Sequence, residues 1–360
     1  MLNFEFKNKR IKMKNIIKMS LVAAVAVAGL TTTSSAANLE DAVKNTKMAG
    51  YVRYRLETNH EGNSEANEKT KAVFKFTTPV NDTVTSNVKI VAGEASTENG
   101  DTTASMKVTE ANFVVKAGSA TIIAGLQTSQ SPFFANNGDT RSHGVTALIP
   151  AGAATIAAAH YTTTVPNSVD ATKDISALGA IGNFAGVNAE AWYAQINKTD
   201  ITAMAVLASG KAGPVAISAH HAEVDTDTDG VDITNTQVAV SAKAGMATIT
   251  AAYATTGDTS GDVTVDGDTD SKLIFAGEIL STKTGSLDAM VLSIGAKVSS
   301  AVSVGLLHIS GEVADTVDVD ETKLSVGYKM SKNFKVSGWY ATGDNGTDQE
   351  KSRIEVKYTF

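Results

Sequence analysis

Residues 351–360, KSRIEVKYTF, end the chain in the middle of a strand pattern. Read in steps of two, Ile354, Val356, Tyr358 and Phe360 fall on one face, and Arg353, Glu355, Lys357 and Thr359 on the other. In a soluble protein the apolar face would be buried in a core. In an outer-membrane barrel it meets lipid instead, and the charged face lines a wet interior. The remainder of the chain discriminates between the two.

The first segment fixes the compartment. FKNKRIKMKNIIKM is basic, the apolar run Leu21 to Leu30 follows, and TTTSSAAN supplies small residues at a cleavage site. That order is a secretory signal, with the cut expected after Ala36 or Ala37. A membrane-spanning helix needs about 20 apolar residues, and this run is too short. The expected organisation is a signal peptide over residues 1–36 and one domain over residues 37–360. Residues 1–36 carry six of the 31 Lys and Arg and one of the 38 Asp and Glu, which leaves 25 against 37 and a net charge of −12. So acidic a chain is a poor partner for nucleic acid. With no cysteine, no disulfide framework supports a secreted fold, so stability must come from hydrogen-bond closure and packing.

After residue 38 no long helical periodicity appears. Alternating runs of about eight to twelve residues recur, separated by turns. They begin with Met48–Asn59, Lys71–Phe76 and Val84–Ala95 and end with Thr322–Lys329, Lys335–Thr342 and Ser352–Phe360. The count is eighteen, with sixteen as the alternative, and an even count returns the chain to its starting side, as single-chain bacterial barrels require. Short turns such as AGSA and MSKN alternate with longer loops such as DTDTDGVDITNT. The expected fold is therefore all-β: a transmembrane antiparallel barrel with short periplasmic turns, longer extracellular loops and both termini periplasmic. A barrel of that size leaves an aqueous interior. KLIFAGEILSTKTGS, residues 272–286, breaks the rhythm and is expected to be a long loop over the mouth.

Alternation also selects wall residues. Arg53, Arg55, Lys75, Lys89, Lys243, Lys297, Arg353 and Lys357 all lie opposite the apolar faces and are expected in the lumen, because a Lys or Arg facing lipid at mid-depth costs roughly 2–4 kcal/mol. Asp225, Asp227 and Asp229 have calcium-loop spacing, but position twelve is Thr236 and strands flank the loop. This is not an EF-hand; at most it binds divalent cations loosely, bridging lipopolysaccharide phosphates. No other cofactor is expected. Enzyme signatures fail. Ser86 with Lys89, and Lys283-Thr284-Gly285, mimic penicillin-binding motifs but lack a Ser-Asp-Asn companion, and His220 and His221 fall on opposite strand faces.

Three stretches carry a family likeness: ANLEDAVKNTKMAGYVRYRLE at residues 37–57, AGLQTSQSPFFANNGDTRSHG at residues 124–144, and SGWYATGD with the terminal KYTF. They resemble the Campylobacter-type major outer membrane porins of epsilonproteobacteria. The resemblance implies a homotrimeric, eighteen-stranded porin that passes ions and small hydrophilic solutes and contacts outer-membrane lipid and lipopolysaccharide. It also implies an inward loop near residues 129–143, with Asn136, Asn137, Asp139 and Arg141 at the constriction, and Phe360 as the assembly signal. Acidic loops at the mouth make a weak cation preference the expected sign. A surface adhesin or structural barrel acting through its loops is the alternative reading.

Overall fold

The computed structural model describes residues 44–60, 65–96, 105–128, 131–133, 142–163, 174–197, 199, 201–226, 232–259, 263, 272–273, 277–281, 284–314 and 316–360. The expected signal peptide lies outside them. Eighteen strands follow in chain order: β1 (Lys47–Asn59), β2 (Glu65–Pro79), β3 (Val84–Ser96), β4 (Met106–Ala117), β5 (Ala120–Gln127), β6 (Ser142–Ala151), β7 (Ala154–Thr163), β8 (Ile175–Phe184), β9 (Val187–Ile196), β10 (Thr202–Ala212), β11 (Val215–Asp225), β12 (Asp232–Ala244), β13 (Ala247–Thr256), β14 (Leu287–Lys297), β15 (Val302–Val313), β16 (Val317–Lys329), β17 (Phe334–Asp344) and β18 (Asp348–Thr359). Each pairs antiparallel with its neighbours in sequence, and β18 returns to pair with β1. The sheet is a closed eighteen-strand barrel, as the alternation predicts. β2 is longer than its alternating run of Lys71–Phe76, since Glu65–Thr70, with Lys69, extend it at one end and Thr77–Pro79 at the other.

Turn chemistry produces the tight end. The connections after β4, β6, β10 and β12 hold two residues each, led by Gly118, Gly152, Gly213 and Gly245 with φ between 61° and 65°. A positive φ at the first central residue is what a II′ hairpin turn needs, and only glycine adopts it without strain. At the other end the connections are longer, up to residues 257–286, although 314–316 and 345–347 are short as well. Both ends of the sheet, at Lys47 and Thr359, lie with the tight turns.

Cross-strand partners share a face, so the register assigns inside and outside. Val52, Tyr54, Met204, Val206, Leu324 and Val326 are 40–58% exposed and form an apolar outer surface. The alternate residues face inward. On β1, β2 and β18 these are charged. On β7–β10 they are small and apolar: Ala157, Ala159, Ala177, Ala194, Ala203 and Ala205 are buried. Here the polar-inside rule fails for a packing reason. Phe133, Val263 and Leu273 come from the loops and are buried against these alanines together with Tyr161 and Trp192.

The seam explains the terminal phenylalanine. Tyr51–Asn59 run opposite Lys351–Thr359, and Gly50 and Phe360 exchange both backbone hydrogen bonds at 3.0 Å. The Phe360 ring crosses the outer side of Gly50 to reach Phe74, 5.7 Å between centroids, and Tyr358, 6.1 Å. A side chain at Gly50 would collide with the Val73 carbonyl oxygen and with Phe360. Gly50→Ala should therefore cost about 1–3 kcal/mol of overpacking strain and reduce the fast-migrating, heat-modifiable form on gels. Gly295→Ala, whose Cβ meets open space, should leave that form unchanged.

Candidate pore-lining site

The inner face carries its densest charge where β1 meets β2 and β18. Register places Arg53, Arg55 and Glu57 beside Lys357, Glu355 and Arg353 on one side, and beside Lys71, Lys69 and Asn67 on the other. Strand alternation alone aligns them, since each set is spaced by two. The side chains interlock. Arg55 Nε donates to Glu355 Oε2 at 2.6 Å, and its Nη1 is 3.5 Å from Glu57 Oε1. Lys69 Nζ donates to Glu57 Oε2 at 2.7 Å. Arg353 Nε is 2.8 Å from Glu57 Oε1, a charge contact off the hydrogen-bond line, and its guanidinium lies 4.9 Å from the centre of the Trp339 ring. Lys357 sits 4.1 Å over Tyr51.

A loop completes the strip. Residues 257–286 join β13 to β14, and among the described ones Lys272, Leu273 and Gly277–Leu280 sit against the inner wall rather than over the mouth. Lys272 Nζ binds both oxygens of Glu190 on β9 at 2.8 and 3.0 Å, while Leu273 inserts into the alanine-rich wall and its carbonyl accepts from Asn235 on β12 at 2.6 Å. Gly277–Leu280 then sits against β16, where Leu280 joins Leu287, Val291 and Ile309 in a second apolar cluster. The described segments of the loop therefore meet the inner wall at β9 and β12 and again at β16. Its Glu278 reaches Lys323 at 3.1 Å and Arg353 at 3.9 Å, and its carbonyl accepts from Lys351 at 3.4 Å.

Other wall residues lie apart from this strip. Lys75 is 3.4 Å from Glu110 and shares its row with Lys89. Lys243 and Lys297 stand exposed near the turn end. Thr77, Asn87 and Asn112 form an uncharged ladder on the inner face, linked at 3.0 and 3.2 Å. Asn136, Asn137, Asp139 and Arg141 lie outside the described residues, as do Asp227 and Asp229. Phe133 of the same loop is fully buried in the inner cluster. Among the described residues no group of three or more His, Cys, Asp or Glu side chains is placed to hold a metal ion. His220 and His221 face opposite ways, the latter bonding Thr236 at 2.7 Å. The alternation that selects Arg53 and Arg55 selects Glu57, Glu355 and Lys323 as well. No periodicity points to Glu278, whose position depends on tertiary folding.

A closed eighteen-strand barrel with lipid-type residues outside and an ionic strip inside narrows the possibilities to outer-membrane channels, and the family model for the Campylobacter major outer membrane protein matches residues 13–360. The chain belongs to that family. Membership covers nearly its whole length, far beyond the three stretches whose residues carry the likeness, and makes it an outer-membrane protein of porin type. Solved structures share the fold. OccK3 (OpdO) of Pseudomonas aeruginosa is 15% identical with a TM-score of 0.73, covering 89% of this chain and 97% of its own. OccAB4 of Acinetobacter baumannii is 13% identical with a TM-score of 0.69, covering 88% and 98%. OpdK of Pseudomonas aeruginosa, solved with vanillate, is 13% identical with a TM-score of 0.69, covering 88% and 99%. No curated protein sequence matches the chain. Family and fold point to a channel rather than an enzyme.

Glu57 contacts three bases within the strip, whereas Glu350 stands on the outer face of the barrel. Neutralising Glu57 (Glu57→Gln) should move the reversal potential of the purified channel toward chloride, and Glu350→Gln should move it less. Equal shifts would place the ion path elsewhere.

Proposed function

We propose that the chain forms a water-filled channel for passive diffusion of ions and small hydrophilic solutes across the outer membrane. The observation that supports this reading best is the interlocked strip of Arg53, Arg55, Lys69, Glu57, Glu355 and Arg353 on the inner wall of a barrel with an apolar outside. Fixed charges lining a constriction sort solutes by size and sign without any chemical step. OpdK, which shares the fold, is recorded with vanillate, a small organic solute of the class such a passage admits.

In this reading the tight turns and both termini face the periplasm and the longer loops face outward. The acidic loops raise the local cation concentration at the mouth, within a Debye length of about 8 Å at physiological salt. The bases of the strip outnumber its acids and oppose that effect, so the preference for cations is weak. Asp139 and Arg141 on the inward loop add to the filter. The barrel associates as the homotrimer that family likeness implies, its outer surface in contact with lipid and lipopolysaccharide; Asp225, Asp227 and Asp229 hold divalent cations only loosely.

Purified protein in a planar bilayer should give stepwise conductance and a reversal potential slightly favouring cations. A reversal potential favouring chloride would contradict the sign, and conductance near zero would favour an adhesin or structural barrel acting through its loops. Charge reversal at Asp139 or Arg141 should alter selectivity more than reversal at Asp227; equal effects would remove that loop from the constriction.

A further inference from the structure

One buried carboxylate holds the Gly277–Leu280 turn of the 257–286 loop. Glu321 lies on the inner face of β16 and is fully buried. Its Oε1 accepts from the Glu278 backbone N–H at 2.8 Å, and its Oε2 from those of Ile279 and Leu280 at 2.9 and 3.0 Å. The same tetrapeptide closes on itself, with the Gly277 N–H donating to the Leu280 carbonyl at 2.7 Å. Successive N–H groups curled in this way form an anion-binding concavity, and here the anion is a side chain of the wall. Charge-assisted bonds to a carboxylate are roughly twice as strong as neutral ones, and three converge on Glu321. Gly277 is the residue the arrangement cannot replace, because a Cβ there would meet both carboxylate oxygens of Glu321.

The consequence falls on the neighbouring side chain. Glu278 belongs to the same turn, and its carboxylate enters the basic strip between Lys323 and Arg353. Among the described residues the strip otherwise draws its acids from the strands, at Glu57 and Glu355, whereas Glu278 arrives on a loop. We propose that Glu321 is a positioning residue for the channel: by capturing the Gly277–Leu280 turn it fixes Glu278 as a selectivity-determining group in the ion path. A strand residue that never meets the solute thereby sets both the width of the passage and its charge. The proposal rests on the porin reading for its functional half, whereas the capture of the loop stands on geometry alone.

Two measurements separate those halves. The chain has no cysteine, so a single Leu280→Cys reports on the turn: Leu280 is 5% exposed and should react slowly with a water-soluble maleimide. Adding Glu321→Gln, whose amide can accept through one oxygen only, or Gly277→Ala, which leaves every charge in place and alters the loop rather than the wall, should raise the labelling rate severalfold while heat-modifiable mobility shows the barrel intact. Unchanged labelling in both backgrounds would overturn the capture. In planar bilayers Glu278→Gln should shift the reversal potential toward chloride. Gly277→Ala should shift it the same way with noisier current, and Glu278→Gln combined with Glu321→Gln should shift it no further than Glu278→Gln alone, since residues acting as one unit are non-additive. Additive shifts, or a Gly277→Ala channel with wild-type selectivity, would mean that Glu321 acts through its own charge and not through Glu278. If wild-type protein carries no current, the porin reading and the selectivity half fall together, while labelling still decides the capture.

Discussion

Hydrocarbon offers no hydrogen bonds, so every backbone N–H and C=O within a membrane must find its partner inside the protein, each failure costing several kcal/mol. A sheet meets that condition only by closing. Here closure depends on a seam between the first and last strands, sealed at its turn end by the reciprocal bonds of Gly50 and Phe360. The last residue of the chain is therefore structural twice over: its backbone completes the ladder and its ring covers the one position on β1 that has no side chain. Closure also settles which way the side chains point. Once the apolar faces of β1 and β18 meet lipid, Arg53, Arg55, Arg353 and Lys357 have only the interior to occupy, where their acids share the same rows.

The interior is not uniform. Along β1, β2 and β18 it is ionic and its long side chains reach one another; along β7–β10 it is lined by alanine, and those small side chains make room for loop segments to pack. The loop of residues 257–286 uses both surfaces. Its described residues are anchored on β9 and β12 by Lys272 and Leu273 and on β16 by Glu321, and Glu278 reaches the edge of the ionic strip at Arg353 on β18. Packing on one wall and charge near the other thus both involve described residues of one connection.

The barrel and its strand count were legible because a lipid-facing strand must alternate, and alternation survives in sequences such as KSRIEVKYTF and GYVRYRLE. The signal weakened where both faces became apolar, as in AATIAAAHY and TAMAVLAS, since alanine inside and alanine outside read alike. Parity groups Arg53, Arg55 and Glu57 on one face of β1 and Arg353, Glu355 and Lys357 on one face of β18, and the register sets the two groups side by side. The placement of Glu278 was not legible: KLIFAGEIL has no period, and nothing in its composition says that three of its amides will close around the carboxylate of Glu321. A break in the rhythm suggests a loop over the mouth, whereas tertiary contacts hold its described residues Lys272, Leu273 and Gly277–Leu280 against the inner wall. Aromatics are few; Phe74, Tyr358 and Phe360 gather at the seam, and Phe113, Phe184 and Tyr328 stand exposed on other strands of the outer face.

The account depends on one assignment, that the apolar side of each strand faces acyl chains and the polar side faces water in a closed cylinder. Paired single cysteines at Val240 and Ser241, and at Leu324 and Ser325, read it directly in proteoliposomes. Ser241→Cys and Ser325→Cys should react with a water-soluble maleimide, while Val240→Cys and Leu324→Cys stay unreactive and, once tagged with a fluorophore, are quenched by spin-labelled lipid. The opposite pattern, or equal reactivity of both members of each pair, would contradict it.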